Sequence, residues 1–378
     1  MKSIVSYVFL TLAGIFGCTS VALSQQIPLI IAHRGIPSVY PEHTLASLDL
    51  AMRSGADFVE PDLVMTKDSV LIVRHEPMLS GTTNVSVLPK FKDKKTWKVL
   101  DGDSIYDWFA CDFTLEEIKE LKTRQAMKIR SHEFDDQLQI PTFDEFIQRV
   151  LTFSDSSKRM IGIYPETKHP SFHGEYDLPI TEQLLNTLIK YNLDTAVSRV
   201  FIQSFEAENL AWLYKRCRLP LIFLFSYNTV SSNGEVDLVS PPKPYDHIVH
   251  EDKRTYLDLQ SDEGLAYLKG FVSGIGVPKV YLRSYSYVDK NYDNAPDDVN
   301  KDGKSNLSDC RGLKPTTLVN RAHDLGLKVH VYTFRDEPDY LLSNYQGDFT
   351  KELQFFSKLG VDGIFTDNCK GAYQYFVK

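Results

Sequence analysis

The stretch Phe58-Val59-Glu60-Pro61-Asp62-Leu63-Val64-Met65, then Thr66-Lys67-Asp68-Ser69, then Val70-Leu71-Ile72-Val73, decides the fold. Its two flanks are apolar and strand-like, with only a short polar link between them. A parallel crossover takes about a dozen residues or more, so the second flank returns as an antiparallel partner of the first. Further apolar runs lie at 29–32, 160–164, 200–205, 221–225, 274–280, 328–334 and 363–366. Helical periodicity marks 44–54, 180–191, 206–215, 261–271, 315–325 and 349–359. Strands alternating with helices imply a parallel sheet. With 70–73 set aside as the hairpin partner, eight runs remain, the number that closes an α/β (β/α)8 TIM barrel. The competing reading is an open doubly wound sheet, but no Gly-rich dinucleotide loop supports it.

Residues 77 to 140 break this rhythm. They are polar and loop-rich, carry Trp97 and Trp108, and show one short helical stretch at 114–121. They read as an insertion after the second barrel strand, packed on the barrel. Residues 226–258 and 283–313 are also irregular. No internal repeat is visible.

The chain has 378 residues, 43% hydrophobic and 24% charged, ordinary values for a folded domain. The formal net charge of −8 argues against a general nucleic-acid binder. It does not exclude a small anionic substrate, because a local field can oppose the global sign. Residues 1–24 differ from the rest: Lys2 is the only charge, Ile4 to Phe16 is nearly all apolar, and Ala22 and Ser24 precede Gln25. This reads as a secretory signal peptide, which leaves residues 25–378 as the mature single domain in a secreted or periplasmic location. No stable membrane insertion is expected once it is removed. A retained anchor, or lipidation at Cys18, is the variant. Cys111, Cys217, Cys310 and Cys369 then remain, either as up to two disulfides or as buried free thiols. Their spacing resembles no zinc site. Asn84-Val85-Ser86 and Asn306-Leu307-Ser308 are glycosylation sequons in a eukaryotic host.

The chemistry-bearing residues sit at strand ends. His33 and Arg34 end the first run, after Ile30-Ile31-Ala32. Glu60 and Asp62 stand at i and i+2, so on one face of a strand. His75 and Glu76 end the hairpin partner, and Glu166 and Lys168 end the next strand, again at i and i+2. Each alone reads as a structural group: a satisfied histidine, a cap, a surface ion pair. Together, at the rim where barrel enzymes keep their sites, they read as a cluster. Carboxylates aimed at one spot are costly unless a cation sits there. Oxygen donors suit a hard ion, Ca2+ or Mg2+. A histidine pair and an arginine beside such an ion point to chemistry on a phosphate.

The combined motif resembles that of the glycerophosphodiester phosphodiesterases. It comprises His33-Arg34-Gly35, Pro41-Glu42-His43-Thr44, Glu60-Pro61-Asp62 through Asp68, His75, Glu166-Thr167-Lys168, Val331-Tyr332-Thr333-Phe334 and Gly360-Val361-Asp362-Gly363-Ile364-Phe365-Thr366-Asp367. The likeness spans about 28 to 370 and is greatest to the secreted or periplasmic, calcium-using branch. It implies that Glu60, Asp62 and Glu166 hold the metal, that His33 and His75 are the acid/base pair, and that Arg34 and Lys168 hold the substrate phosphate. Two positions depart from the family: Glu76 stands where Asp is usual, and Tyr332 where Trp is common.

The implied reaction is hydrolysis of a glycerophosphodiester, such as glycerophosphocholine or glycerophosphoethanolamine, to an alcohol and sn-glycerol 3-phosphate. The neighbouring glycerol hydroxyl is the expected nucleophile, closing a cyclic phosphate that water then opens. Two other readings compete. One is a related phospholipase, which needs an exposed apolar rim. The other is a silent binding protein, which the presence of both histidines opposes.

A second calcium signal lies at Asp298, Asn300, Asp302, Gly303, Lys304 and Asp309, in the positions of a calcium-binding loop with Asp in place of the final Glu. Its bland reading is a solvated Asx-rich turn.

Overall fold

The computed structural model describes residues 27–239 and 243–378. The leader and its Cys18 therefore lie outside the described residues. Among those described, no helix is long and apolar enough to cross a membrane.

The strands, in chain order, are β1 (Leu29–Ala32), β2 (Phe58–Val59), β3 (Asp62–Met65), β4 (Leu71–Val73), β5 (Thr96–Leu100), β6 (Asp103–Asp107), β7 (Gly162–Ile163), β8 (Glu166–Thr167), β9 (Ile202–Ser204), β10 (Leu221–Leu224), β11 (Gly274–Pro278), β12 (Tyr285–Ser286), β13 (Arg311–Gly312), β14 (Lys328–Phe334) and β15 (Gly363–Thr366). Parallel pairing runs from β1 through β2 and β7, then from β3 through β8, β9, β10, β11 and β14 to β15, which pairs back onto β1. The sheet thus closes into an eight-stranded parallel barrel in which two staves are each made of two pieces. The helical stretches read from periodicity are present between the strands, with ends shifted by a few residues. A further long helix, Phe143–Ser157, was not anticipated. Thr142 caps it with a reciprocal Glu145 box, a signal present in the sequence.

The two broken staves differ from the continuous strands expected at 58–65 and 160–164. Pro61 and Pro165 have no N–H to give, so the ladder lapses there. The carbonyls beside the breaks still serve: Glu166 N donates to Pro61 O at 3.0 Å and Gln203 N to Pro165 O at 3.0 Å. Beyond the breaks, β3 pairs with β8 and β8 with β9. The antiparallel β4 pairs with β3 and brings the chain back down, so that Arg74 N donates to Asp62 O at 2.8 Å. This descent returns His75 to the rim.

Apolar side chains fill the space between barrel and helices, and a smaller set inside the barrel stacks Ile31, Phe58, Tyr164, Ile222, Leu224 and Phe365. Between Val73 and Phe143 the chain builds a cluster of its own, including Leu79, Phe91, Trp108, Phe113 and Ile118, against Val64 and Ile72 of the β3–β4 hairpin. The antiparallel ribbon β5–β6 belongs to this region. Cys111, Cys217, Cys310 and Cys369 are all free thiols, so the disulfide alternative is not realised.

Candidate active site and metal centre

The turn after β1 sets the first side chains. Arg34 (φ +57°) and Gly35 (φ +89°) are both left-handed. A side chain at Gly35 would put its Cβ 2.4 Å from Ser47 Oγ, and Ser47 accepts from Ile36 N at 2.7 Å. Glycine is therefore required for the turn and for the close approach of the following helix. The turn presents Arg34 N to Glu60 Oε2 at 3.1 Å and the guanidinium to Glu42 at 3.0 Å. Arg34 Nε stays 3.6 Å from Asp62 Oδ2 and makes no hydrogen bond.

Glu60, Asp62 and Glu166 converge, each offering an oxygen within 4.8 Å of the others. The register explains this. Asp62 on β3 stands directly opposite Glu166 on β8, and like charges in that position repel. Burial and this repulsion push Glu60 well above the carboxylate range and Glu166 up to about 8. At Asp62 burial is outweighed by His43, whose Nε2 lies 2.8 Å from Oδ2, and the carboxyl is held well below its usual value. Asp62 Oδ1 is buried and has no partner. Gln203 donates to Glu60 Oε1 at 2.7 Å. Lys168 Nζ lies 2.9 Å from Glu166 Oε1, in ion-pair contact but without hydrogen-bond alignment. An all-oxygen donor set with an orphaned carboxylate oxygen and excess negative charge fits a hard divalent cation.

The histidines flank this cluster. His33 Nδ1 lies 2.6 Å from Asp367 Oδ1, and burial and Arg34 hold its pKa below 6.5 against the pull of Asp367. His75 Nδ1 lies 2.5 Å from Glu76 Oε1, and its Nε2 is 3.2 Å from Lys168 Nζ. Burial, Arg34 and Lys168 lower it to about 4. Both rings are thus neutral at neutral pH, with Nδ1–H tied to a carboxylate and the lone pair on Nε2. The substituted Glu76 makes this contact in its own right. A cavity of about 160 Å3 joins His33, Arg34, Glu60, Asp62, His75 and Glu166, with Phe205, Tyr332 and Phe365 on its walls. Tyr332 donates its hydroxyl to Phe225 O.

All seven rim residues read from the sequence therefore come together. Several neighbours lacked an assigned role. His43 and Glu42 sit in a quoted motif but hold Asp62 and Arg34, and Asp367 holds His33. Gln203 and Ser204 are the polar residues in the apolar run 200–205, and that interruption is the available signal for Gln203. Arg130, from the irregular region, donates to Asp367 Oδ2 at 2.6 Å and to Glu337 at 2.6 Å, and no sequence signal marks it.

The 298–309 loop behaves differently. Asp302 N donates to Asp298 and Asn300, Gly303 N to Asp298, Lys304 N to Asp302, and Val299 N and Asn300 N to Asp309. Lys304 pairs with Asp339. Among the described residues, the triad is the only set of three such ligand groups that converges, and the loop carboxylates do not.

Comparison with known proteins agrees with this site. Residues 33–370 match the Glycerophosphoryl diester phosphodiesterase family. Glycerophosphodiester phosphodiesterase GDPD6 of Arabidopsis thaliana is 30% identical over 370 residues, covering 94% of this chain and 88% of its own. The glycerophosphodiester phosphodiesterase of Haemophilus influenzae is 28% identical over 362 residues, 90% of this chain and 87% of its own. Two solved structures share the fold. A phosphodiesterase from Oleispira antarctica, in complex with the product sn-glycerol-3-phosphate, has a TM-score of 0.52 at 18% identity, over 93% of this chain and 98% of that one. A glycerophosphodiester phosphodiesterase from Parabacteroides distasonis has a TM-score of 0.51 at 16% identity, over 93% and 97%. The chain is an enzyme of the glycerophosphoryl diester phosphodiesterase family.

Proposed function

We propose that this chain hydrolyses glycerophosphodiesters to an alcohol and sn-glycerol 3-phosphate. The observation that carries this is the closure of a carboxylate triad, two neutral histidines and an arginine around one small cavity, with Lys168 held against Glu166 and His75 of its wall. Arg34, with its unpartnered Nε, and Lys168 supply positive charge for the phosphate oxygens. His33 and His75 each hold an Nε2 lone pair, so one takes a proton from the nucleophile while the other, once protonated, gives one to the departing alkoxide. Glu60, Asp62 and Glu166 would hold a divalent cation, with Ca2+ the favoured ion and Mg2+ the alternative. Such an ion supplies Lewis-acid stabilisation of the charge that builds on phosphate.

The glycerol hydroxyl next to the ester is the nucleophile in this reading, because ring closure within one molecule has a large advantage over attack by outside water. Residues 77–140 are read as an insertion after the second barrel strand, supported by their separate apolar cluster. Export by the N-terminal leader remains part of the proposal.

The test is release of sn-glycerol 3-phosphate from purified protein and a glycerophosphodiester. Release that stops with chelator and with His75→Ala supports the reading. Full release in chelator sets aside the metal, and no release under any metal sets aside the activity.

A further inference from the structure

Arg130 belongs to none of the strands or helices around the barrel. It sits on the loop 124–136, which a bidentate pair closes at its base: Arg124 donates Nε to Asp136 Oδ1 at 2.7 Å and Nη2 to Oδ2 at 2.8 Å. The loop is fastened to the turn that follows β1. Gln125 donates Nε2 to Pro37 O at 2.9 Å, and the rings of Phe134 and Tyr40 meet with centroids 4.5 Å apart. Arg130 stands between these two holds in the chain, with its side chain 3% exposed.

The guanidinium joins two other segments. Nε donates to Glu337 at 2.6 Å, beyond β14, and Nη2 donates to Asp367 Oδ2 at 2.6 Å, at the end of β15. Arg335 Nε donates to the same Oδ2 at 3.1 Å. Burial would raise the Asp367 carboxyl, but His33, Arg335 and Arg130 outweigh it and hold the group below its usual value, so it is a charged acceptor. Rotation of this carboxylate would break both guanidinium contacts. Oδ1 is therefore kept facing His33 Nδ1, at 2.6 Å.

We propose that Arg130 is a positioning residue for the reaction: through Asp367 it fixes the ring of His33 and keeps the Nε2 lone pair available to the catalytic cavity. This rests on the phosphodiesterase reading, in which His33 moves a proton. It gives the 124–136 loop a part in the chemistry, although none of its residues lines that cavity. A planar fork that gives separate N–H groups to two carboxylates is what arginine supplies and lysine does not. The side chain acts on the orientation of His33 and touches neither the phosphate site nor the triad.

The experiment measures sn-glycerol 3-phosphate release by Arg130→Gln, Arg130→Lys, Asp367→Asn and the double variant Arg130→Gln/Asp367→Asn. Beside it, proton NMR follows the downfield ring N–H signal that His33→Ala removes. Arg130→Gln should lower kcat about tenfold with KM nearly unchanged, the low end of the cost of losing a group that orients a functional side chain. Its His33 signal should shift or broaden. Arg130→Lys should fall between it and wild type, and provides the answer if Arg130→Gln fails to fold. Because both residues act through one carboxylate, the double variant should be no slower than Asp367→Asn alone. An arginine that only stabilises the fold would lower the unfolding midpoint and leave kcat and the His33 signal at wild-type values. That result in a folded variant, or losses that multiply in the double variant, overturns the proposal and leaves the phosphodiesterase reading intact. Wild-type protein that releases no sn-glycerol 3-phosphate from any glycerophosphodiester overturns both, and shows it before any variant is made.

Discussion

His33 Nδ1 and Asp367 Oδ1 lie 2.6 Å apart, although 334 residues separate them in the chain. They meet because β1 and β15 close the barrel side by side. Asp367 is buried, and its other oxygen takes Arg130 at 2.6 Å and Arg335 at 3.1 Å. The carboxylate thus fixes the Nδ1–H tautomer of His33 and raises its pKa against burial. His33→Ala should lower kcat by roughly 10²–10⁴, the usual worth of a general acid or base. Asp367→Asn should cost less in kcat, leave KM nearly unchanged, and move the acidic limb of the pH profile to lower pH. A folded Asp367→Asn variant with an unshifted profile would remove Asp367 from its positioning role.

Metal affinity should depend on pH in a defined direction. Glu60 and Glu166 are raised, Glu166 to about 8, so protons compete with the ion below that value. Calorimetric Ca2+ affinity should therefore climb from pH 6 to 8 and level off above. His43 orients Asp62, so His43→Ala should weaken the affinity by about 10–100-fold, the scale for a lost partner of a metal ligand. A flat pH profile would contradict the buried triad as the binding site.

Two histidines away from the chemistry govern acid stability. Met65 N donates to His173 Nε2 at 3.1 Å, and Tyr164 Oη lies 2.7 Å from His330 Nδ1, so both rings act as acceptors and are held neutral. Burial lowers each to about 4. The unfolded chain, with ordinary values near 6.5, binds more protons between pH 4 and 6.5. Stability should therefore be full above about pH 6.5 and fall below it, by on the order of 2 kcal/mol per histidine at pH 5. Urea unfolding of His330→Gln should show a shallower pH slope than wild type. An equal slope would rule out His330 as a source of the acid sensitivity.

The route through a cyclic phosphate makes its own forecast. A glycerophosphodiester methylated on the hydroxyl beside the ester should bind but turn over very slowly, because the internal nucleophile is blocked. Hydrolysis as fast as that of the parent diester would make water the direct nucleophile.

Much of this architecture was legible because its signals are local. Alternating apolar runs gave the staves, and the short link Thr66-Lys67-Asp68-Ser69 forced β4 to turn back, which is what places His75 beside Asp62. The triad was legible because i, i+2 spacing survives even where Pro61 interrupts the strand. The supporting residues were not. Asp367 acts through a contact set by barrel closure, His43 through one set by how the turn after β1 packs on the neighbouring stave, and Arg130 reaches Asp367 from an irregular segment with no periodicity to read. The breaks at Pro61 and Pro165 were visible as prolines, but the matching of one break to the next depends on register across two strands. The Asp298–Asp309 loop is an equally local pattern, and its carboxylates accept from backbone N–H groups within the loop.

The most direct measurement is phosphorus NMR of the purified enzyme with glycerophosphocholine and Ca2+, run beside a chelated sample. Loss of the diester resonance with growth of sn-glycerol 3-phosphate and equimolar choline, and no change in the chelated sample, is the predicted result. An unchanged diester, or cleavage on the other side to glycerol and phosphocholine, would contradict the assignment of this site.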